Sequence, residues 1–507
     1  MREFKPGRKK AAEPPPHEFS LDLAPLDLGQ NLDLKLAWEQ RNDVGNASRF
    51  IARYGDGFAQ VEEIGWHAWS GRHWDARSGR RMAQLSAHET ARKIYEEAKA
   101  LFDAGARPLE SAEDFQKRID GLRGFGCASG NSNRITAMLR EAEPYLARSP
   151  DQMDRDPVLF NVDNGTLRLG DEESGGVELM PHARDHNITK VAPVDYDPEA
   201  DCPRFHAFLD RVIPSIEMQE FLQRWFGYCL TGLTSEQVLV MFWGKGANGK
   251  SVLVDVIGEI IGDYGMGLQF ASLLQDDRKR GSEASPDLAR LPGARLVVAS
   301  EAKVGAQFDE GLIKQLTGQD TMNVRHLNRD FFSFKPTFKL VLVFNNKPKV
   351  RGQDEGIWRR FVMVPFGVMI PEDERDKHLA TKLLKERNGI LNWLLDGYRL
   401  WVESGLKVPE EAIKAKQEYR EQSDPIGVFL GDAVDQRIGA RVPATTIYEI
   451  YQRWCRVNSE PPVGQKLFGN ILSDKGYRRH KSGIQYYEDI AIIDDFSSRE
   501  SAGGEDD

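Results

Sequence analysis

Val238-Leu239-Val240-Met241-Phe242-Trp243 runs directly into Gly244-Lys245-Gly246-Ala247-Asn248-Gly249-Lys250-Ser251, and the stretch beginning at Ser251 continues as SVLVDVIGEIIGDYG. The first six residues are an apolar run of the length expected for a buried strand. The last stretch repeats apolar residues at Val252, Val256 and Ile260, a helical spacing. The eight residues between satisfy GxxxxGK[ST], and here the pattern sits where a phosphate-binding turn must sit, after a strand and before a helix. Gly244, Gly246, Ala247, Asn248 and Gly249 let backbone N–H groups curl round phosphate oxygens at a helix N-terminus. Lys250 is expected to neutralise β- and γ-phosphate charge, and the Ser251 hydroxyl to ligate Mg²⁺. The alternative is a Gly-rich strand–helix turn with no ligand; the agreement of strand, loop, Lys-Ser and helix speaks against it.

Working outward, Arg295-Leu296-Val297-Val298-Ala299-Ser300-Glu301 reads as a buried parallel strand ending on a carboxylate. Ligands of α/β sheets collect at the carboxyl ends of strands, so Glu301 is a candidate to hold Mg²⁺ or to polarise an attacking water. Many strands end in Glu, and only the upstream loop lends this one weight. Lys339-Leu340-Val341-Leu342-Val343-Phe344 is a further strand with Asn345-Asn346 at its tip. Asn345, directly ending the apolar run, is preferred over Asn346 as a water-orienting group; a turn-forming Asn-Asn is the alternative. Arg359 and Arg360 stand just before the strand that starts at Phe361. They suit an arginine finger reaching a neighbouring subunit's ATP, or equally a surface salt-bridge pair.

The 507 residues suggest several domains. Residues 1–45 read as a Pro-rich tail with Leu-Asp pairs, and 46–200 as an α+β region. In that region WHAWSGRHW and LFNVDNGTLRL give hairpin signals, and the three tryptophans of the first are assigned to core packing rather than base stacking. Residues 201–232 read as amphipathic helices, 233–371 as the α/β core, 372–424 as a charged helical linker or lid, 425–495 as helices followed by a β-rich end, and 496–507 as an acidic tail. Cys127, Cys202, Cys229 and Cys455 form no CxxC pair and have no His cluster nearby, so no structural zinc site or disulfide framework is expected. No apolar run of about 18 residues suggests a membrane span, and the basic, Pro-rich start lacks the apolar segment of a secretory signal. The net charge of −10 argues mildly against a whole-surface nucleic-acid binder but permits a few basic residues lining a channel.

GKGANGKS, RLVVASE, LVLVFNN and WRRF, standing in this order, resemble the superfamily-3 helicases, and more closely the phage and plasmid primase-helicase family that also contains the poxvirus replicative helicase. KQLTGQDTMNVRHLNRDFFSFKPTFK, from Lys314, resembles that superfamily's pore-hairpin motif. NASRFIARYGD, WHAWSGRHW, LFNVDNGTLRL and CPRFHAFL are similar to its helicase-associated N-terminal region, and TTIYEIYQRWC with QKLFGNILSDKGYRRHKSGIQYY to its C-terminal winged helix. The resemblance implies an AAA+-like P-loop ATPase core with an α+β N-terminal region and a C-terminal winged-helix domain. It implies a homo-hexameric ring using ATP and Mg²⁺ to translocate on single-stranded DNA and unwind forked duplex, in the cytoplasm of a bacterial host replicating a phage, prophage or plasmid. A separate primase or polymerase is an expected partner and a membrane is not. Lys250 and Ser251 match the nucleotide-binding pair, Glu301 the acid of the second motif and Asn345 the sensor. Arg360 matches the finger best, with Arg359 second, and residues 201–232 are assigned to a ring collar. With only the tail ahead of the family region, no primase domain is expected.

Arg325, His326 and Arg329 bracket a short polar segment between β-prone runs, where positive groups would meet phosphate in a channel; a charged surface hairpin is the alternative. Arg478, Arg479 and Lys481 cluster around a predicted turn, as in a wing touching DNA backbone, though such a segment also suits protein contacts. Two other functions fit the same residues: a DNA translocase without strand separation, and an ATP-switched origin-binding or assembly protein. The pairing of Glu301 with a candidate finger favours hydrolysis over a pure switch.

Overall fold

The computed structural model describes residues 31–493 apart from 171–175, 276–285, 302–304, 326, 328–329, 353, 459 and 483. The chain divides into two compact units: residues up to 58 together with 81–146, and residues 59–80 together with 147 onward. The helices and strands expected as a single 46–200 module therefore fall in different units.

The first unit is helical, built on Asp43–Tyr54, most of Ala76–Ala104, Ala112–Ser129 and Ser132–Ala142. Structure begins earlier than the expected tail boundary at 45. Leu32–Leu36 is a helix capped by the Asn31 side chain, and Leu36 and Ala37 are buried. Arg49 is the physical reason. Its fully buried guanidinium donates to Leu36 O (2.9 Å), Gln40 O (2.9 Å) and Glu97 Oε2 (2.8 Å), pinning the entering chain to two helices. A buried cation needs such a set of partners, and the segment that supplies the carbonyls is ordered by it. Residues 1–30 of the expected tail, and the acidic segment 496–507, lie outside the described residues.

The second unit is mixed α/β, organised by a five-stranded parallel sheet ordered Phe361–Pro365, Leu239–Trp243, Lys339–Phe344, Leu296–Ser300, Gly265–Gln269. Its strands are apolar on both faces because both faces are covered. Val240, Phe242, Val341 and Val343 pack toward the helices Lys250–Ile261, Ile216–Cys229 and Arg387–Ser404. The alternate residues Leu239, Met241, Leu340 and Leu342 pack with Ile313, Trp358 and Tyr419 on the other face. Ile216–Cys229, expected in a collar, is buried along most of its length. It crosses Arg387–Ser404 so closely that a Cβ on Gly227 would collide with the backbone of Gly397 and Tyr398.

The two sequence hairpins are present as Gly65–Trp69 with Trp74–Asp75 and Leu159–Val162 with Gly165–Leu169, both antiparallel. Trp66 and Trp74 are core residues. Towards the C-terminus, the helix Pro425–Ala433 leads into the strand Val434–Pro443. Helices Ala444–Val457 and Gln465–Asp474 follow, then strands Arg479–Ser482 and Ile484–Ile492, which lie beside the first strand with the last one central. Among the described residues no helix is long and apolar enough to cross a membrane.

Candidate functional site

Because all five strands run the same way, their carboxyl ends form one edge, and the sheet order brings three sequence-distant tips together there. The 244–251 loop leaves Leu239–Trp243, Asn345 leaves the adjacent strand Lys339–Phe344, and Glu301 leaves the strand next to that. The loop takes left-handed backbone at Gly246 (φ 104°), Ala247 (φ 50°) and Gly249 (φ 83°), which turns successive N–H groups inward. Gly249 must be glycine on a second count, since a Cβ there would press on Phe208 and Val212 of the helix Pro203–Val212. Later parts of the chain brace the loop: the Ile370 N–H donates to Ala247 O (2.8 Å) and Asn248 Nδ2 to Phe366 O (3.2 Å).

Lys250 opens the helix Lys250–Ile261 and is only 4% exposed. Its ammonium donates to Gly244 O (2.8 Å), Asn248 Oδ1 (3.1 Å) and Asn345 Oδ1 (3.1 Å). These acceptors are all neutral, and burial pushes the Lys250 pKa below its ordinary value. Ser251 is exposed on the same first turn. Glu301 is exposed and held at φ 72°, with its N–H donating to Val343 O (3.0 Å) of the neighbouring strand. A non-glycine residue in that backbone region is a strained tip, common where a side chain must be aimed.

Residues that sequence reasoning passed over complete the edge. Trp243 Nε1 donates to Asn345 O (3.1 Å), fixing the backbone of the asparagine that meets Lys250. The Lys347 ammonium lies 4.3 Å from the centre of the Trp243 ring and 5.4 Å from that of Tyr419, whose hydroxyl donates to Pro348 O. A tryptophan ending an apolar strand was the available signal.

Arg359 and Arg360 stand elsewhere. Phe361 pairs with Leu239, and the Leu239 N–H donates to Arg360 O (2.8 Å), so both arginines sit at the amino edge of the sheet, on the order of 13 Å along the strands from the loop. Arg360 Nε donates to Thr317 Oγ1 (3.1 Å) and Nη1 to Gly356 O. Arg359 is exposed, with Nη2 on Gln237 Oε1 at 3.2 Å.

Arg325 ends the strand Met322–Val324, which pairs with Phe332–Phe334; its guanidinium lies 4.7 Å from the Phe331 ring centre. Met322, Val324 and Phe332 root the hairpin in the core, while Leu327 and Phe331 are exposed near its tip. His326 and Arg329 lie outside the described residues. In the C-terminal module Arg478 and Lys481 are exposed, whereas Arg479 Nε donates to Tyr487 Oη (3.1 Å) and its guanidinium lies over that ring.

All four cysteines are free. No structural zinc site was expected around them; among the described residues Asp201, Cys202 and His206 bring one donor atom each within 4.8 Å of one another. Burial, helped by Asp201 and Glu386, pushes the Cys202 thiol up to about 12, and Asp201 Oδ1 already accepts from the Cys202 N–H (2.7 Å). Both features work against a thiolate ligand at neutral pH.

Three family models match the chain: D5 N terminal like over residues 47–214, a family of unknown function (DUF5906) over 242–360, and Poxvirus D5 protein-like over 421–498. Similar proteins include "Putative helicase L207/L206" of Acanthamoeba polyphaga mimivirus, 29% identical over 53% of this chain and 30% of that protein. "Putative helicase 022R" of Frog virus 3 is 24% identical over 52% and 29%, and "Putative primase C962R" of African swine fever virus is 24% identical over 45% and 24%. The matches thus span less than a third of each of these relatives. The solved C-terminal region of NrS-1 aligns at 14% identity with a TM-score of 0.38, over 59% of this chain and 78% of that one.

Proposed function

We propose, for a chain that carries D5 N terminal-like and Poxvirus D5 protein-like domains, that it is an ATP-driven DNA helicase of superfamily 3 that acts as a homo-hexameric ring on single-stranded DNA. One observation carries the reading: the Lys250 ammonium, nearly buried at a helix N-terminus, has only neutral oxygens as acceptors. A desolvated cation without a counter-charge is costly, and the phosphates of a nucleotide are the counter-charge this loop is shaped to take. The donor set also fits a magnesium ion. The Ser251 hydroxyl and the Glu301 carboxylate are hard oxygen ligands on one edge of the sheet, two strands apart, and a bound Mg²⁺ would offset phosphate charge there. Within this P-loop site, Lys250 binds phosphate, Asn345 orients water and Glu301 draws its proton.

Arg359 or Arg360, at the far edge of the sheet, serves the ATP of a neighbouring copy rather than its own. The Arg325 hairpin grips DNA phosphate in the pore, and the C-terminal module is a winged helix whose Arg478 and Lys481 touch DNA backbone. The supporting fact for the last is its order of helix, strand, two helices and a two-stranded wing.

The decisive experiment is ATP turnover with and without single-stranded DNA, in the wild type and Lys250→Ala. DNA-stimulated turnover that disappears in the variant is expected. Tight ATP binding without turnover in either condition would instead favour the assembly switch.

A further inference from the structure

Away from the nucleotide edge, the hairpin Leu159–Val162 with Gly165–Leu169 borders a cleft of about 850 Å³. Arg148, Arg155, Arg168 and His186 line it, with Asp156 and Asp185. In a chain of net charge −10, three guanidinium groups in one concavity stand out. Arg155 and Arg168 are exposed and make no side-chain hydrogen bond or ion pair among the described residues. Arg148 is braced for a contact, lying 4.6 Å from the Trp74 ring centre and donating to Asn187 Oδ1. Asp156, whose Oδ1 accepts from the Val158 N–H (3.0 Å), and Asp185 are the two opposing charges in the cleft.

His186, with Nδ1 buried and without a hydrogen-bond partner among the described residues, stands in the cleft wall; burial first, and Arg168 second, hold its pKa below the ordinary value. Arg168 also lines a second cleft, with Gly170, Tyr398 and Trp401. The polar atoms of that floor are satisfied, Tyr398 Oη on Gly170 O (2.6 Å) and Trp401 Nε1 on Glu236 Oε1 (2.8 Å); Tyr398 is buried, so the ring surface on offer is that of the partly exposed Trp401.

A basic groove continuing into an aromatic floor is the combination that tracks a single strand: phosphates on guanidinium groups, bases on rings. We infer that Arg148, Arg155 and Arg168 form a second contact for single-stranded DNA, separate from the pore hairpin, in which the D5 N terminal-like region holds the strand outside the motor. This rests on the helicase reading.

The test is anisotropy of a labelled oligo-dT across a salt series, with the wild type, Arg155→Ala/Arg168→Ala and the charge-retaining Arg155→Lys/Arg168→Lys. Loss of two phosphate contacts should weaken binding roughly tenfold at moderate salt and flatten the slope of log K against log salt by about 1.4. The lysine pair should keep the wild-type slope, and DNA-independent ATP turnover should be the same in all three. Equal affinity and equal slope in wild type and alanine pair would overturn the second contact while leaving the helicase reading intact. A wild type that binds no oligo-dT would overturn the helicase reading itself. If a blunt duplex of the same length competes as well as unlabelled oligo-dT, the single-strand assignment fails.

Discussion

At the scale of single residues, the candidate site separates groups that sequence places side by side. Arg359 and Arg360 are neighbours in the chain, yet one guanidinium is tied to Thr317 and Gly356 and the other is exposed. Arg359→Ala is therefore expected to cut DNA-stimulated turnover by 10³-fold or more without changing the melting temperature. Arg360→Ala should lower the melting temperature, since it leaves Thr317 Oγ1 and Gly356 O without their donor, on the order of 1–3 kcal/mol. If Arg360→Ala alone abolished turnover in a normally stable protein, the order of the two would be reversed. Lys339 supplies a pH test. Fully buried against Thr231 O and Leu233 O, it has its pKa brought down to about 7 by that burial. The unfolded chain, with an ordinary lysine, then binds more protons above pH 7 than the folded one, so this group makes stability rise with pH. Burial raises the Cys202 and Cys229 thiols, which act in the opposite sense at higher pH. Urea midpoints at pH 6.5, 7.5 and 8 should thus climb more steeply in the wild type than in Lys339→Met; parallel profiles would mean that Lys339 does not titrate there. The Lys-Ser pair was legible in the sequence because it closes a GxxxxGK[ST] loop between a strand and a helix, and the tips Glu301 and Asn345 because each ends an apolar run. The Trp243 and Lys347 contacts were not, because ring stacking across a sheet edge has no spacing in the chain.

Elements show where periodicity stops being informative. Apolar spacing in Ile216–Cys229 correctly signals a helix, but it states only that a face must be covered, not by what. The cover is Arg387–Ser404, some 170 residues away, joined through the Gly227–Gly397 crossing. Gly227→Val should therefore destabilise the whole parallel-sheet unit, by about 2 kcal/mol or more, read as a lower urea midpoint. A variant with unchanged stability that dissociates into monomers would support a collar role for the helix. The strand order is likewise hidden from a linear reading, since which strands become neighbours depends on crossovers. The same holds for the entering helix Leu32–Leu36, whose Pro-rich, Leu-Asp surroundings read as tail until the buried Arg49 gives it a reason to dock.

At the scale of the whole molecule, the sheet separates two groups of candidate site residues. Lys250, Asn345 and Glu301 stand at one end of the strands, and Arg359 and Arg360 at the other. Under the proposed function, mixing Lys250→Ala with Arg359→Ala, each inactive alone, should restore a fraction of turnover, because mixed neighbours rebuild some complete sites. No recovery over any mixing ratio would argue for sites complete within one chain. The same proposal makes turnover a question of how many chains meet. On dilution, specific activity should fall more steeply than in proportion to protein, as each departing copy silences the site it faced as well as its own. Under the same proposal, a newly made chain, alone in its cell, would hold nucleotide and leave it uncut, kept from idle consumption by the distance between the two ends of a strand.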